Sequence, residues 1–332
     1  MTATLKFVIG ALSALLVIIA WLIYYASSTV VLSHYPYEFT LRQGSSLTSV
    51  AKQLVAQDVI SEQYSFIALG RLFGHATNLK AGSYVLDKPL THIELLKTIT
   101  EGNVSQGSIT FVEGWTFAQM RQALDAYAAI KHDTRGLSDQ EILKRVSGKP
   151  QHPEGLFFPD TYFFSQGMSD LVILKRAYKN MQARLNEAWQ ARASALPYKT
   201  PYEALIMASI VEKESAKASE RPIIAAVFLN RLRQGMKLQT DPTVIYGLGA
   251  SFDGNLRKRD LLSDAPYNTY TREGLPPTPI AMPGWGAIHA SLHPAKTDAL
   301  YFVSKGDGSH VFSATLEEHN RAVAKYQKIA RQ

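Results

Sequence analysis

TPYEALIMASIVEKESAKASERPIIAAVFLNRLRQGMKLQTDPTVIYGLG, residues Thr200–Gly249, is the stretch around which the chain is organised. Thr200 is a capping residue, Pro201 suits a first helical position, and Glu203 stands where a capping-box partner belongs. From Pro201 to about Lys217 the residues are good helix formers, with no glycine or internal proline. At 3.6 residues per turn Met207, Ile210, Val211 and Glu214 share one face. Glu212 points elsewhere, roughly 200° of rotation from Glu214, among Ala208, Ser209, Ser215 and Ala216. One carboxylate of the Glu-Lys-Glu triplet is therefore carried on the apolar stripe.

Burial there raises a carboxyl pKa, because a low dielectric disfavours the anion, and a nearby helix C-terminus acts in the same direction. A carboxylic acid still protonated near neutral pH is what a general acid requires. The same residues also read as a solvated helix end with Glu214 and Lys217 as an i,i+3 pair. Ser219 and Pro222 then open a second amphipathic helix carrying Ile223, Ile224, Val227, Phe228 and Leu232, ending near Gly235. The following LQTDPTVIYGLG reads as a polar, turn-prone loop with Gln239, Thr240, Asp241 and Tyr246. A helix presenting a carboxyl beside a loop of hydrogen-bonding and aromatic groups suits a sugar-binding cleft.

The run ASIVEKES, SER, VFLNRL and LQTDPTVIYG, followed by YNTY and GLPPTPI, closely resembles the YceG-like family of endolytic murein transglycosylases, over nearly the whole chain. The family's catalytic glutamate, followed by a small hydroxyl residue, maps onto Glu214 and Ser215. The resemblance implies that Glu214 protonates the glycosidic oxygen between N-acetylmuramic acid and N-acetylglucosamine. The same carboxylate would then take the proton of the muramyl C6 hydroxyl, leaving a 1,6-anhydromuramyl end. Ser215, Gln239, Asp241, Tyr246, Asn268 and Tyr270 are the expected substrate-binding residues. Asp241 is the residue that would make the protein an ordinary hydrolase by activating water, and its place beside Pro242 equally fits an Asx turn. Asn268, Thr269 and Tyr270 either hold sugar groups or brace their own loop.

The chain has 332 residues, 46% of them hydrophobic, enough for one large or two modest domains. Its net charge of +7 is a mild excess, and no Lys/Arg-rich block points to nucleic acid. There are no cysteines, which excludes disulfides and thiolate metal sites. GxGxxG, Walker, HExxH and GxSxG motifs are absent, so nucleotide, zincin and hydrolase-elbow chemistry lose support. His289 and His293 stand at i,i+4, with His310 and His319 further on, but Pro294 interrupts the pattern. No metal and no cofactor are expected.

Phe7–Ala26 contains no charged residue, and such a helix spans roughly 30 Å, the hydrocarbon thickness of a bilayer. Trp21, Tyr24 and Tyr25 gather at one end as interfacial aromatics do. A signal peptide cleaved near Ser27 is the competing reading, but this apolar run is longer than the usual signal core. Lys6 before the run favours the amino end inside and the bulk outside.

Glu38–Leu41, the Gly44-Ser45-Ser46 break, a helix from Leu47 to Leu54 and a strand in Leu79–Leu86 look like a LysM module, a small unit that binds N-acetylglucosamine polymers. Two departures stand out: the middle, Ile60–Phe73, is lengthened, and a helix over Thr91–Thr100 follows the closing strand. Glycan binding and a spacer or docking role both remain open for it.

Further along, Ser108–Val112 reads as a strand, Phe117–Ala126 as a helix, and residues 131–150 as a loop with a short helix. PEGLFFPDTY, residues 153–162, forms an aromatic loop similar to one in the family. Asp170–Trp189 is a long helix with its carboxylates on a solvated face, and Arg257–Leu262 a helical turn. A hairpin over Ala299–Ser313 and a helix over Glu317–Arg331 close the chain.

The expected fold is α+β: an anchor (1–28), a LysM-like subdomain (29–105) and a catalytic domain (106–332) starting between Gly102 and Ser108. The implied protein is a single-pass protein of the bacterial inner membrane with a periplasmic catalytic domain. It would cut nascent peptidoglycan strands beside penicillin-binding proteins of the synthesis machinery. The alternative is a non-catalytic peptidoglycan-binding scaffold.

Overall fold

The computed structural model describes residues 3–326, apart from positions 36, 43, 76, 77, 87, 102–105, 150, 166 and 216. It is mixed α+β and divides into two units. The first comprises residues 1–108 and 163–168, the second 109–162 and 169–332.

The first unit begins with α1 (Ala3–Ser27), whose segment Ile9–Ser27 is long and apolar enough to cross a membrane. Leu16, Val17, Ile18, Trp21, Ile23 and Tyr24 are exposed on it, as expected of a lipid-facing surface. The last turn differs: Tyr25 is buried and stacks on His92 with ring centroids 4.1 Å apart. Beyond it the chain runs β1 (Tyr37–Leu41), α2 (Leu47–Ala56), α3 (Tyr64–Leu72), β2 (Gly82–Leu86) and α4 (His92–Glu101). Ser46 caps α2 by accepting from the Ser49 N–H. β1 and β2 pair antiparallel, Phe39 opposite Tyr84 and Thr40 opposite Ser83. Period-two alternation turns Phe39, Leu41, Tyr84 and Leu86 inward, where they meet Val50, Leu54, Phe66, Leu69, Leu95 and Ile99.

β3 (Gln106–Thr110) pairs with β4 (Thr161–Ser165). Between them lie α5 (Phe117–Asp125) and α6 (Asp139–Ser147), each opened by a reciprocal capping box, at Thr116/Gln119 and Ser138/Glu141. The second unit continues with α7 (Asp170–Gln190), α8 (Pro201–Glu214), α9 (Arg221–Arg233), α10 (Asp241–Leu248), α11 (Lys258–Leu262) and α12 (Trp285–Leu292). The antiparallel hairpin β5 (Tyr301–Ser304) and β6 (His310–Ser313) and the helix α13 (Leu316–Tyr326) follow. The expected continuation of that helix to Arg331 lies outside the described residues, as does part of the expected domain start between Gly102 and Ser108.

Several expectations need correction. α8 ends at Glu214, not Lys217, and has no single apolar face: every residue from Ala204 to Val211 is buried. It is the central helix of the unit, packed by α7, α9, α10 and α12, so the face argument rested on a stripe that does not exist. Lys217 pairs with Glu220 at 3.6 Å rather than with Glu214. The N-cap position of α9 is Glu220, not Ser219, and its side chain makes no capping hydrogen bond. LQTDPTVIYGLG is no loop, because Asp241–Leu248 is helical with Pro242 in its first turn. Asp170 at the head of α7 is not solvated but fully buried, accepting from the N–H groups of Asp133 and Thr134 and from the Thr134 hydroxyl at 2.6 Å.

Candidate active site

Glu212 and Glu214 both sink into the second unit, but they meet different surroundings. Glu212 Oε1 lies 2.7 Å from the Arg221 guanidinium, and its Oε2 accepts the Gly284 N–H at 2.9 Å. The approach depends on residue 284 being glycine, since a Cβ there would stand 1.8 Å from Glu113 Oε1. Glu212 is thus a buried, charge-countered brace between α8 and the start of α12.

Glu214, the last residue of α8, has no cationic partner among the described residues. Its one hydrogen bond comes from the hydroxyl of Thr240, which donates to Oε1. Burial raises the carboxyl pKa, the Thr240 hydrogen bond opposes, Asp241 adds to the rise, and His310 opposes. The part of Glu214 that remains exposed lines a cavity of about 470 Å³ shared with Arg231, Gln239, Asp241, Tyr270 and His310.

Thr240 belongs to a buried threonine cluster. Thr269 Oγ1 accepts the Thr240 N–H at 3.1 Å and lies 2.9 Å from Thr243 Oγ1, which donates to Thr240 O at 2.8 Å. Beside it Gln239 adopts φ +52°, rare outside glycine. Two bonds hold it there: its N–H donates to Thr269 O at 3.1 Å, and its Oε1 accepts from Arg231 at 3.2 Å. Arg231 is itself buried, pairs with no carboxylate among the described residues, and donates to the carbonyls of Lys237, Leu238 and Leu300. It therefore ties the segment before α10 to the hairpin.

The expected substrate residues divide into two groups. Gln239, Asp241 and Tyr270 line the cavity with Glu214, and the Tyr270 hydroxyl donates to Asp241 Oδ1 at 2.5 Å. Ser215, Tyr246 and Asn268 do not line it. Ser215 is buried and folds back on Lys217, accepting its N–H at 3.1 Å. Asn268 braces its own loop, donating to the carbonyls of Asp260, Leu261 and Ser263 and accepting the Tyr270 N–H. Tyr246 donates to the buried Glu154 at 3.1 Å, whose carboxyl burial pushes up to about 7 against the Phe117 N–H and the Tyr246 hydroxyl.

Residues 39–325 match the YceG-like family. The chain belongs to that family. Among YceG-like relatives, the endolytic murein transglycosylase of Bacillus subtilis (strain 168) is 34% identical over 305 residues, covering 85% of this chain and 82% of that protein. The endolytic murein transglycosylase of Streptococcus pneumoniae (strain D39) is 28% identical over 319 residues. The match covers 86% of this chain but only 57% of that longer protein. A crystal structure of a yceG-like protein from Listeria monocytogenes superposes with a TM-score of 0.55 at 31% identity, covering 86% of this chain and 98% of that one.

Sequence reasoning named Thr240 in the polar stretch and His310 among the histidines but gave neither a role in the site, and it did not single out Arg231. Thr240 carried a signal, because Thr-Asp-Pro is a helix-start pattern that would have set its side chain at a helix head. His310 carried none, since its partner lies 90 positions away in sequence, and the bond that ties Arg231 to the hairpin spans 69. His289 and His293 stack on each other at 4.3 Å, whereas His310 and His319 line the cavity.

Proposed function

We propose that this chain is a membrane-anchored peptidoglycan lytic transglycosylase with Glu214 as its general acid. Kinship with proteins named endolytic murein transglycosylases supports the activity. The observation that carries the residue assignment is a buried carboxyl with no cation beside it, one hydroxyl donor, and a cavity in front of it. Such a group favours its protonated form and can give that proton to the glycosidic oxygen as the bond to muramyl C1 breaks. The Glu214 carboxylate left behind then receives the C6 hydroxyl proton while O6 closes on C1. No water enters, and the product carries a 1,6-anhydromuramyl end. Gln239, Asp241 and Tyr270 hold the sugar, whereas Ser215, Asn268 and Tyr246 support the walls.

In this reading residues 1–28 anchor the protein in the inner membrane, and residues 29–105 are a LysM-like subdomain. Residues 106–332 are the periplasmic catalytic domain, working on nascent strands beside penicillin-binding proteins. Asp241 in the same cavity favours one second reading, a muramidase in which that carboxylate activates water.

The full chain in detergent micelles, incubated with sacculi, separates the possibilities. The proposal expects anhydromuropeptides from the wild type and a loss of roughly 10²–10⁴-fold in Glu214→Gln. Equal yields from the two proteins, or no product at all, reject it in favour of a binding scaffold. Reducing ends that carry oxygen from labelled water favour the muramidase.

A further inference from the structure

The His310 imidazole sits in the cavity of Glu214 and is held by a buried carboxylate that the mechanism above does not use. Glu220, at the head of α9, places Oε2 2.7 Å from His310 Nδ1, and its Oε1 accepts the His310 backbone N–H at 3.3 Å. Both side chains are largely enclosed, 11% and 13% exposed, which excludes a casual surface pair. Burial works to raise the Glu220 pKa, but the two His310 hydrogen bonds, the His310 charge and Lys217 outweigh it and hold the carboxyl below its ordinary value.

An ionised carboxylate only accepts hydrogen bonds, so Nδ1 carries the proton of that contact, and in the tautomer this selects Nε2 is an acceptor. Nε2 has no hydrogen-bond partner among the described residues, while the ring lines the cavity. The edge of Phe302, 5.4 Å between centroids at 89°, limits ring rotation further. A carboxylate that fixes a tautomer and offers the other ring nitrogen to a reaction site is the arrangement that makes histidine an efficient base.

We propose that His310 is a second catalytic residue, oriented by Glu220, whose Nε2 takes the proton of the muramyl C6 hydroxyl and relays it to Glu214. The proposal rests on the transglycosylase reading and refines its second half. Glu214 gives its proton to the glycosidic oxygen, and the bond from that oxygen to C1 breaks. O6 bonds to C1 as the O6 proton passes to Nε2. The imidazolium, neutralised by Glu220, then returns that proton to the Glu214 carboxylate, so no co-reactant is consumed. His310 and Glu214 line the same cavity. Among the described residues, the other charged and titratable groups that pair with it or share its cavity are Glu220 with its partner Lys217, Asp241, Arg231, Tyr270, Tyr301 and His319.

The test uses the full chain in detergent and glycan strands of defined length, with wild-type formation of anhydro ends as the reference. Absence of anhydro ends from the wild type defeats the transglycosylase reading itself. With that product present, His310→Gln and His310→Gly are each expected to lose about 100-fold in kcat with little change in KM. Added imidazole should restore at least tenfold to His310→Gly. Wild-type kcat in His310→Gln overturns the proposal. So does a loss without imidazole rescue, which would make the His310–Glu220 pair a staple between β6 and α9.

Discussion

Thr240 donates its hydroxyl to Oε1 of Glu214 from a helix head 26 residues further along the chain. The bond favours the anion of a carboxyl whose pKa burial raises, so Thr240 trims the pKa of the proposed acid. Thr240→Val keeps the shape and removes the donor. Glu214 should then titrate at higher pH. A general acid works while protonated, so the alkaline limb of the kcat/KM profile should move upward, with kcat lower by about tenfold for one lost hydrogen bond. An alkaline limb that stays in place would detach Thr240 from the acid.

Arg221 and Glu212 form an ion pair with side chains only 12% and 5% exposed. Removing the cation alone strands a buried charge, so Arg221→Met should destabilise the protein by about 3–5 kcal/mol in denaturant titrations. Adding Glu212→Gln should recover most of that loss. Additive losses in the double variant would show that the two side chains act independently.

Glu154 links the aromatic loop to α10 through Tyr246, and its carboxyl is pushed from an ordinary 4.5 up to about 7. Between those values the unfolded chain has released this proton and the folded chain still holds it. Stability from this group is therefore full below about pH 4.5 and falls as pH rises toward 7, by about 3 kcal/mol in all. Glu154→Gln does not titrate. The stability difference between wild type and variant should shift in the variant's favour across that range, and a flat difference would contradict the burial argument.

Tyr25 belongs at once to the apolar helix and to the core of the first unit, where it stacks on His92. Cleavage near Ser27 would remove it and cost that unit about 3 kcal/mol, the usual loss for an excised aromatic. Intact-mass measurement of protein extracted from membranes should accordingly find α1 retained. A mature chain beginning near Ser27 would show α1 to be a leader.

Much of the secondary structure is legible locally. The capping pattern at Thr200-Pro201 sets the start of α8, the Ser138/Glu141 and Thr116/Gln119 pairs open their helices, and the alternation around Phe39 and Tyr84 orients the first sheet. Local chemistry suffices for these because caps, turns and period-two burial act over a few residues. Asp241–Leu248 was misread because its polar residues outweighed the Thr-Asp-Pro start signal, although the helix's Thr243 and Val244 are buried.

Local pattern placed a carboxyl at residue 214 near a helix end and a LysM-like alternation near the amino terminus, but could not say which side chains face one another. Tertiary packing decided that Glu212 meets Arg221 and Gly284 while Glu214 accepts from Thr240, and that His310 is locked by Glu220. On a helix buried all round, the apolar period no longer marks one inward face. A carboxyl's chemistry then depends on the cations and hydroxyls that distant segments bring within about 3 Å of it.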